Sequence, residues 1–356
     1  MVRRFRLTTL VALFVLIPAV AAGAAPFAYI PNSGSSNVTV LDLAAGSAPP
    51  ATVALPGASL PWGVALNRAG TRLYVTNFGN GAVYVLDTAA HPPVLVATIA
   101  VRPMPIAVAV NAAGTRVYVS HQGFNTGAAV TVIDAATHAV LRTVDVGMRN
   151  TAIAVHPDGS RVYLATSSSV LVLDAGRLES GAVDIQATVV ATRRPYALAM
   201  NASGSRLYVS GQASGTVAAI DTATNTLVAE GFVGISPVGL ALSPDERRLY
   251  VANSGSGTLS VLDAITLQPA AVDVILGGAP SGVDVSADGR IFVTNSAPGA
   301  NIVWVIDPAT FAVSTRTVGV SPVAFGNFVQ RPAFVETALQ LSVAPSSVVV
   351  GSSGPV

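Results

Sequence analysis

Seven short segments that open on an aromatic residue, each followed by an apolar run closing on aspartate, recur through most of this chain. The openings are Tyr29, Tyr74, Tyr118, Tyr163, Tyr208, Tyr250 and Phe292, at spacings of 45, 44, 45, 45, 42 and 42 residues. The closing residues are Asp42, Asp87, Asp134, Asp174, Asp221, Asp263 and Asp307, ending runs such as VYVLD and VTVID. Self-similarity at a fixed period of this length marks stacked supersecondary units. Within one unit, residues 105–110, 116–120, 129–133 and 140–146 alternate as four strands, joined by the turn-rich links NAAGT, HQGFNTG and DAATH. Each closing Asp can accept backbone N–H groups of the turn it begins, and four units place Thr three residues later, which makes these aspartates turn formers.

A four-stranded unit of this size cannot bury both of its faces alone, so neighbouring sheets must stack, and a ring leaves no exposed terminal face. The order of pieces supports a ring. The N-terminal portion begins at a second strand, 27–31, and a seventh first-strand piece, 322–328, follows the last complete unit. The expectation is an all-β, seven-bladed β-propeller of four-stranded blades over residues 26–330, in which 27–43 and 320–329 share one blade. Such closure also removes the loose sheet edge.

Composition narrows function more than fold. The chain is 51% hydrophobic with mean hydropathy +0.60, yet no run of eighteen apolar residues follows residue 25, so no membrane span is expected in the mature chain. Charged residues make up 10% and the formal net charge is +1, a balance with no global field to attract nucleic acid. All 19 basic residues are Arg, which excludes a P-loop lysine, a Schiff-base lysine and a Ser-Lys dyad. There is no Cys, hence no disulfide, thiolate metal site or covalently attached haem. Arg3, Arg4 and Arg6, the apolar stretch 10–20 and the small residues 19–25 read as a secretory signal peptide over 1–25, implying a periplasmic or extracellular protein.

YVTN at 74–77, YVAN at 250–253, FVTN at 292–295 and the P-x-G starts at Pro61, Pro237 and Pro280 resemble the YVTN family of propeller repeats. The resemblance covers about residues 27–330. It implies a seven-bladed propeller, commonly at the bacterial or archaeal surface or in the periplasm, with more distant ties to lactonase-type propellers and propeller subunits of redox enzymes. The pattern departs at YVSH (Tyr118), YLAT (Tyr163) and YVSG (Tyr208), and at Arg149-Asn150, where the Pro is missing. Residues 331–356 read as a linker and a stretch resembling the opening strands of an immunoglobulin-like domain, too short to bury a core.

On this register, the loops from second to third strand and from each blade to the next share the funnel face, the default binding surface. One loop set brings Asn32, Asn77, His121, Gln122, Gln212, Asn253 and Asn295 there; the other brings Trp62, Arg102, Arg149, Arg193, Arg194 and Tyr196. The irregular arginines fit an anionic or carboxylate-bearing small molecule or glycan, with Trp62 and Tyr196 as stacking surfaces. The recurring Arg72, Arg116, Arg161, Arg206, Arg248 and Arg290 fall on the opposite face as packing or solvated groups. Of four scattered histidines only His121 reaches the funnel, so no metal site and no cofactor are expected. Asp284 stands where an Ala-like residue belongs in a channel-bordering strand, and is expected to be a functional or water-bound channel acid. No nucleophile or acid-base set converges on the funnel. The expected class is therefore a monomeric, non-catalytic binding or protein-interaction scaffold, the alternative a lactonase-like hydrolase or a periplasmic redox subunit.

Overall fold

In the computed structural model, which describes residues 26–44, 49–123 and 127–331, the chain is a seven-bladed β-propeller of antiparallel sheets. The expected signal peptide over 1–25 and, apart from residue 331, the expected tail over 331–356 lie outside the described residues. Blades 1 to 6 run 61–100, 105–145, 150–189, 195–232, 237–275 and 280–317, each four strands in sequential order from the axis outward. Second strands such as Arg72–Asn77 are buried on both faces because a neighbouring blade covers each side, whereas the outermost Val94–Ala100 alternates exposed and covered residues. That is why the middle strands read as continuous apolar runs and the outer ones as period-two patterns. One short helix, Ala175–Ser180, replaces a turn in blade 3: Asp174 caps it by accepting from Arg177 N, and Gly181 ends it at φ 93°.

The repeat residues have distinct mechanical roles. The inner strands of blades 1 to 6 each carry a bulge after the first residue, as between Pro61 and Val64 or Pro280 and Val283. The bulge removes an N–H from the ladder, and in blades 1, 4 and 6 the hydroxyl of the third signature residue receives it. Gly63 N donates to Thr76 Oγ1 at 2.8 Å, Gly282 N to Thr294 Oγ1 at 2.8 Å and Ala197 N to Ser210 Oγ at 3.0 Å. Ser210 Oγ then donates to Val238 O of the next blade at 2.7 Å. The glycine of P-x-G is a close-approach position: a Cβ on Gly282 would lie 1.8 Å from Ala324 O of the neighbouring inner strand.

Repeat arginines and tyrosines join blade to blade at the other face. Arg116 pairs with Glu179 of blade 3 at 3.2 Å, and Arg161 donates to Thr222 O of blade 4. Arg206, Arg248 and Arg290 donate to Ile265 O, Pro308 O and Leu43 O of the blade that follows each. Tyr118 and Tyr208 hydroxyls donate to Glu179 and Ala264 O, again one blade on. The closing aspartates act as turn formers: Asp134, Asp221, Asp263 and Asp307 each accept from the N–H and hydroxyl of the Thr three residues later. Those bonds hold the four carboxyls below their ordinary pKa.

Closure uses both ends of the ring. Strands Phe27–Asn32, Asn37–Asp42 and Ala51–Ala54 form the outer part of blade 7, and residues 322–329 supply its inner strand. Tyr29 N donates to Phe328 O, Val323 N to Pro31 O and Gln330 N to Phe27 O, each at 2.8 Å. This inner strand is bridged only at isolated points, since Gly326 at φ 120° bends it toward blade 1. Asp284 compensates for the lost ladder bonds. Its Oδ2 accepts from Phe328 N and Val329 N at 2.8 Å, while Oδ1 accepts from Val285 N at 2.8 Å and Arg331 Nη2 at 3.2 Å. Asp284 is 1% exposed and both of its oxygens are engaged by the chain, so it does not face the channel; it is a latch for the closing strand. Burial pushes its pKa up, opposed by Arg331 and the three N–H donors.

Removing this acceptor strands three buried donors at the ring joint. Asp284→Ala is expected to cost about 3 kcal/mol in equilibrium urea unfolding, the order expected when buried donors lose their acceptor. A variant with the parental midpoint and slope would show that the latch carries no weight.

Candidate functional site

One hydrogen bond recurs in all seven blades and defines the funnel face. The residue after each signature segment donates its N–H to the carbonyl of the residue just before the inner strand. The pairs are Phe78 to Leu60, Gln122 to Met104, Ser167 to Arg149, Gln212 to Arg194, Ser254 to Ser236, Ser296 to Ala279 and Ser33 to Ser321. Leu60, Met104, Arg149, Arg194, Ser236, Ala279 and Ser321 thus hold equivalent places around the axis, and five of them take positive φ. Such a conformation before proline is uncommon and persists because the staple holds it. The ring is asymmetric: apolar at blades 1 and 2, cationic at blades 3 and 4, small elsewhere.

Beneath it, an aromatic group spans the channel. Trp62 of blade 1 stacks on Phe325 of blade 7 at 6.0 Å between ring centroids, and Phe325 meets the edge of Tyr196 of blade 4 at 5.6 Å. Blades 7 and 4 lie on opposite sides of the ring, so this contact crosses the axis and floors the funnel. Phe78 adds a further ring at 6.1 Å from Trp62. Phe325 was not singled out from sequence because its strand is displaced by Gly326. The available signal was an aromatic three residues after Pro322 in the last first-strand piece.

Arg149 and Arg194 share one electrostatic neighbourhood with Tyr196. Desolvation and then the Arg194 charge lower the pKa of Arg149, while Tyr196 works the other way. Burial raises the Tyr196 phenol, opposed by both guanidiniums. Arg193 is exposed beside them, its carbonyl taken by Ala213 N. Arg102 is drawn away to an ion pair with Asp145 of its own blade.

The signature amides do not line the funnel as expected; they lie under it. Asn77 and Asn295 accept from Ser59 N and Ala279 N, and Asn32 and Asn253 donate to hydroxyls of their own third strands. Gln122 is buried and Gln212 half-buried. His121 takes the place of the Asn in blade 2 and is fully covered, with Nε2 2.8 Å from Thr131 Oγ1 and Nδ1 3.3 Å from Pro103 O. Among the described residues no three His, Cys, Asp or Glu side chains gather to hold a metal.

A sequence model described as Lactonase, 7-bladed beta-propeller matches residues 165–310. No curated protein matches the chain. Among solved structures, a functionally unknown protein of Desulfotomaculum acetoxidans is similar at TM-score 0.72 and 14% identity, over 85% of this chain and 98% of that one. The periplasmic gluconolactonase of Pseudomonas aeruginosa is similar at TM-score 0.67 and 17% identity, over 84% and 98%. Hydrazine synthase of Kuenenia stuttgartiensis is similar at 0.62 and 17%, over 78% and 93%. These likenesses share the fold.

Burial lowers the pKa of His121 to about 4. The unfolded chain takes up this proton near pH 6.5 and the folded chain only near 4, so stability falls as pH drops through that window, by about 3 kcal/mol in full. His121→Asn, which restores the repeat residue, is expected to flatten this dependence in urea unfolding between pH 6.5 and 4. An unchanged pH profile in the variant would remove His121 as its source.

Proposed function

We propose that the protein is an exported, YVTN-type propeller that binds a carboxylate-bearing small molecule at the mouth of the funnel. Arg149 and Arg194 grip the carboxylate, and Tyr196, Phe325 and Trp62 form the floor. The observation that carries this reading is the placement of Arg149 and Arg194 at equivalent positions of adjacent blades, beside Tyr196, where the Arg194 charge helps to lower the pKa of Arg149. An anion between them relieves that repulsion, and guanidinium forks match a carboxylate bidentately. The rigid ring holds both before the ligand arrives, which lowers the ordering cost of binding. Of the remaining candidates, Arg193 serves as a peripheral cation, Arg102 stays paired, and His121 supports the loop from below. The signal-peptide reading of residues 1–25 and the likeness to a periplasmic gluconolactonase support a periplasmic location.

A second reading is a lactone hydrolase, favoured by the family match over 165–310 and the same structural likeness. The two readings meet at one chemistry, because opening a sugar lactone yields a hydroxy acid whose carboxylate suits the arginine pair.

Calorimetric titration with gluconate at low salt is expected to show binding that the Arg149→Ala/Arg194→Ala double variant weakens at least about 10-fold, in line with loss of charged hydrogen bonds. Added salt should weaken the parent as well. No binding, or an unaffected double variant, overturns the site. Turnover of glucono-δ-lactone by the parent, lost in the double variant, would favour the hydrolase reading over simple binding.

A further inference from the structure

A second site lies away from the axis on the same face, in a cleft of about 620 Å³ between blades 4 and 5. Its walls are the blade 4 loop 212–215, the linker 232–236, Ser256 and Thr258 of blade 5, and Asp273. We propose that this cleft holds a neutral oligosaccharide.

The repeat provides an internal control for what the architecture requires here. At the funnel end of the outermost strand, six blades pair equivalent residues: Ala54 with Asn37, Ala100 with Ala82, Asp145 with Ala129, Phe232 with Thr216, Ile275 with Thr258, and Thr317 with Ile302. Alanine, aspartate, threonine and, in blade 5, the 82% exposed Ile275 fill this position in the other blades, so nothing in blade packing calls for an aromatic. Phe232 is nevertheless there, 82% exposed, with Ile235 beside it 67% exposed. Phe232 and Ile235 together set an exposed apolar strip beside the hydroxyls of the cleft, the mixed lining typical of small-ligand sites.

The chemistry of the lining selects the ligand. Ser214, Ser256 and Thr258 are bonded to neighbouring groups, yet their hydroxyl oxygens keep acceptor capacity, and the side-chain carbonyl oxygen of Gln212 has no partner among the described residues. Asp273 is the single charged group of the lining, so an anion is repelled, while a carboxylate accepts well from paired sugar hydroxyls. A pyranose ring has an apolar C–H face for Phe232 and an equatorial rim of hydroxyls for the polar wall. A Cβ on Gly234 would lie 2.2 Å from Ser256 Oγ and 2.8 Å from Asn253 Cβ, so glycine lets the linker press against the blade 5 loop, as Gly319 does between blades 6 and 7. The volume is within the usual range of roughly 300–1,000 Å³ for small-ligand sites and has room for more than one ring.

The test uses the full chain and ligand-detected NMR with maltohexaose, cellohexaose, laminarihexaose, xylohexaose and the fully N-acetylated chitohexaose, all neutral. At least one is expected to bind, with Phe232→Ala and Asp273→Ala each weakening it about 10-fold or more. Phe232 and Asp273 are exposed, so both variants fold. The Arg149→Ala/Arg194→Ala variant should bind the same sugar as the parent does, which separates this site from the funnel mouth. Absence of binding by all five sugars at about 10 mM, or equal binding by Phe232→Ala, overturns the proposal. So does a sugar response that vanishes with the arginine pair.

Discussion

A four-stranded sheet that is apolar on both faces has to find a neighbour on each side, and in a ring the last such need is met only when the two ends of the chain meet. Blade 7 is where that happens. Its outer strands come from residues 27–54 and its inner strand from 322–329, bent at Gly326 and held by the Asp284 carboxylate of blade 6. Because every blade is packed between two others, the joint governs the cooperativity of the whole ring. It also brings Phe325 to the axis, so the floor of the funnel exists only in the closed molecule.

Two tiers of contact keep adjacent blades in register. At the face away from the funnel, arginines from blades 2 to 6 reach turns of the blade that follows. Near the axis, bulged inner strands approach until glycine is required, and signature hydroxyls such as Ser210 join neighbouring backbones. The funnel loops are then fixed by the seven backbone staples. Function can be placed on such loops because side chains projecting from them are free to vary while their backbone is not.

The blades that depart from the repeat show two different outcomes of variation. In blade 2, His121 replaces the signature Asn and remains a buried loop support, its ring nitrogens engaged by Thr131 and Pro103. In blade 3, the Arg149-Asn150 pair replaces the usual start, and there the change reaches the mouth, where Arg149 meets the field of Arg194 from blade 4. Phe232 is a third departure, on the rim between blades 4 and 5, in a position that other blades fill with Ala, Asp, Thr or Ile.

The period, the strand pattern and the circular offset of the first and last pieces were legible in the residues themselves, because each reports local geometry repeated seven times. Alternation sets which strands are covered, the closing Asp with its Thr sets a turn, and the missing first strand at residue 27 anticipates its supply from residue 322. The residues also put Arg149, Arg193 and Arg194, with Arg102 nearby, in equivalent loops of consecutive repeats, which a ring turns into neighbours. What needed the tertiary structure were the relations that cross the ring or depend on burial. No spacing tells that Phe325 meets Tyr196 from the opposite side, that Arg102 turns to Asp145, or that Asp284 faces the N–H groups of Phe328 and Val329 instead of the channel. Those contacts join residues far apart in the chain, and their energy depends on how much water the closed ring excludes, a quantity that belongs to the packed molecule and not to any segment of it.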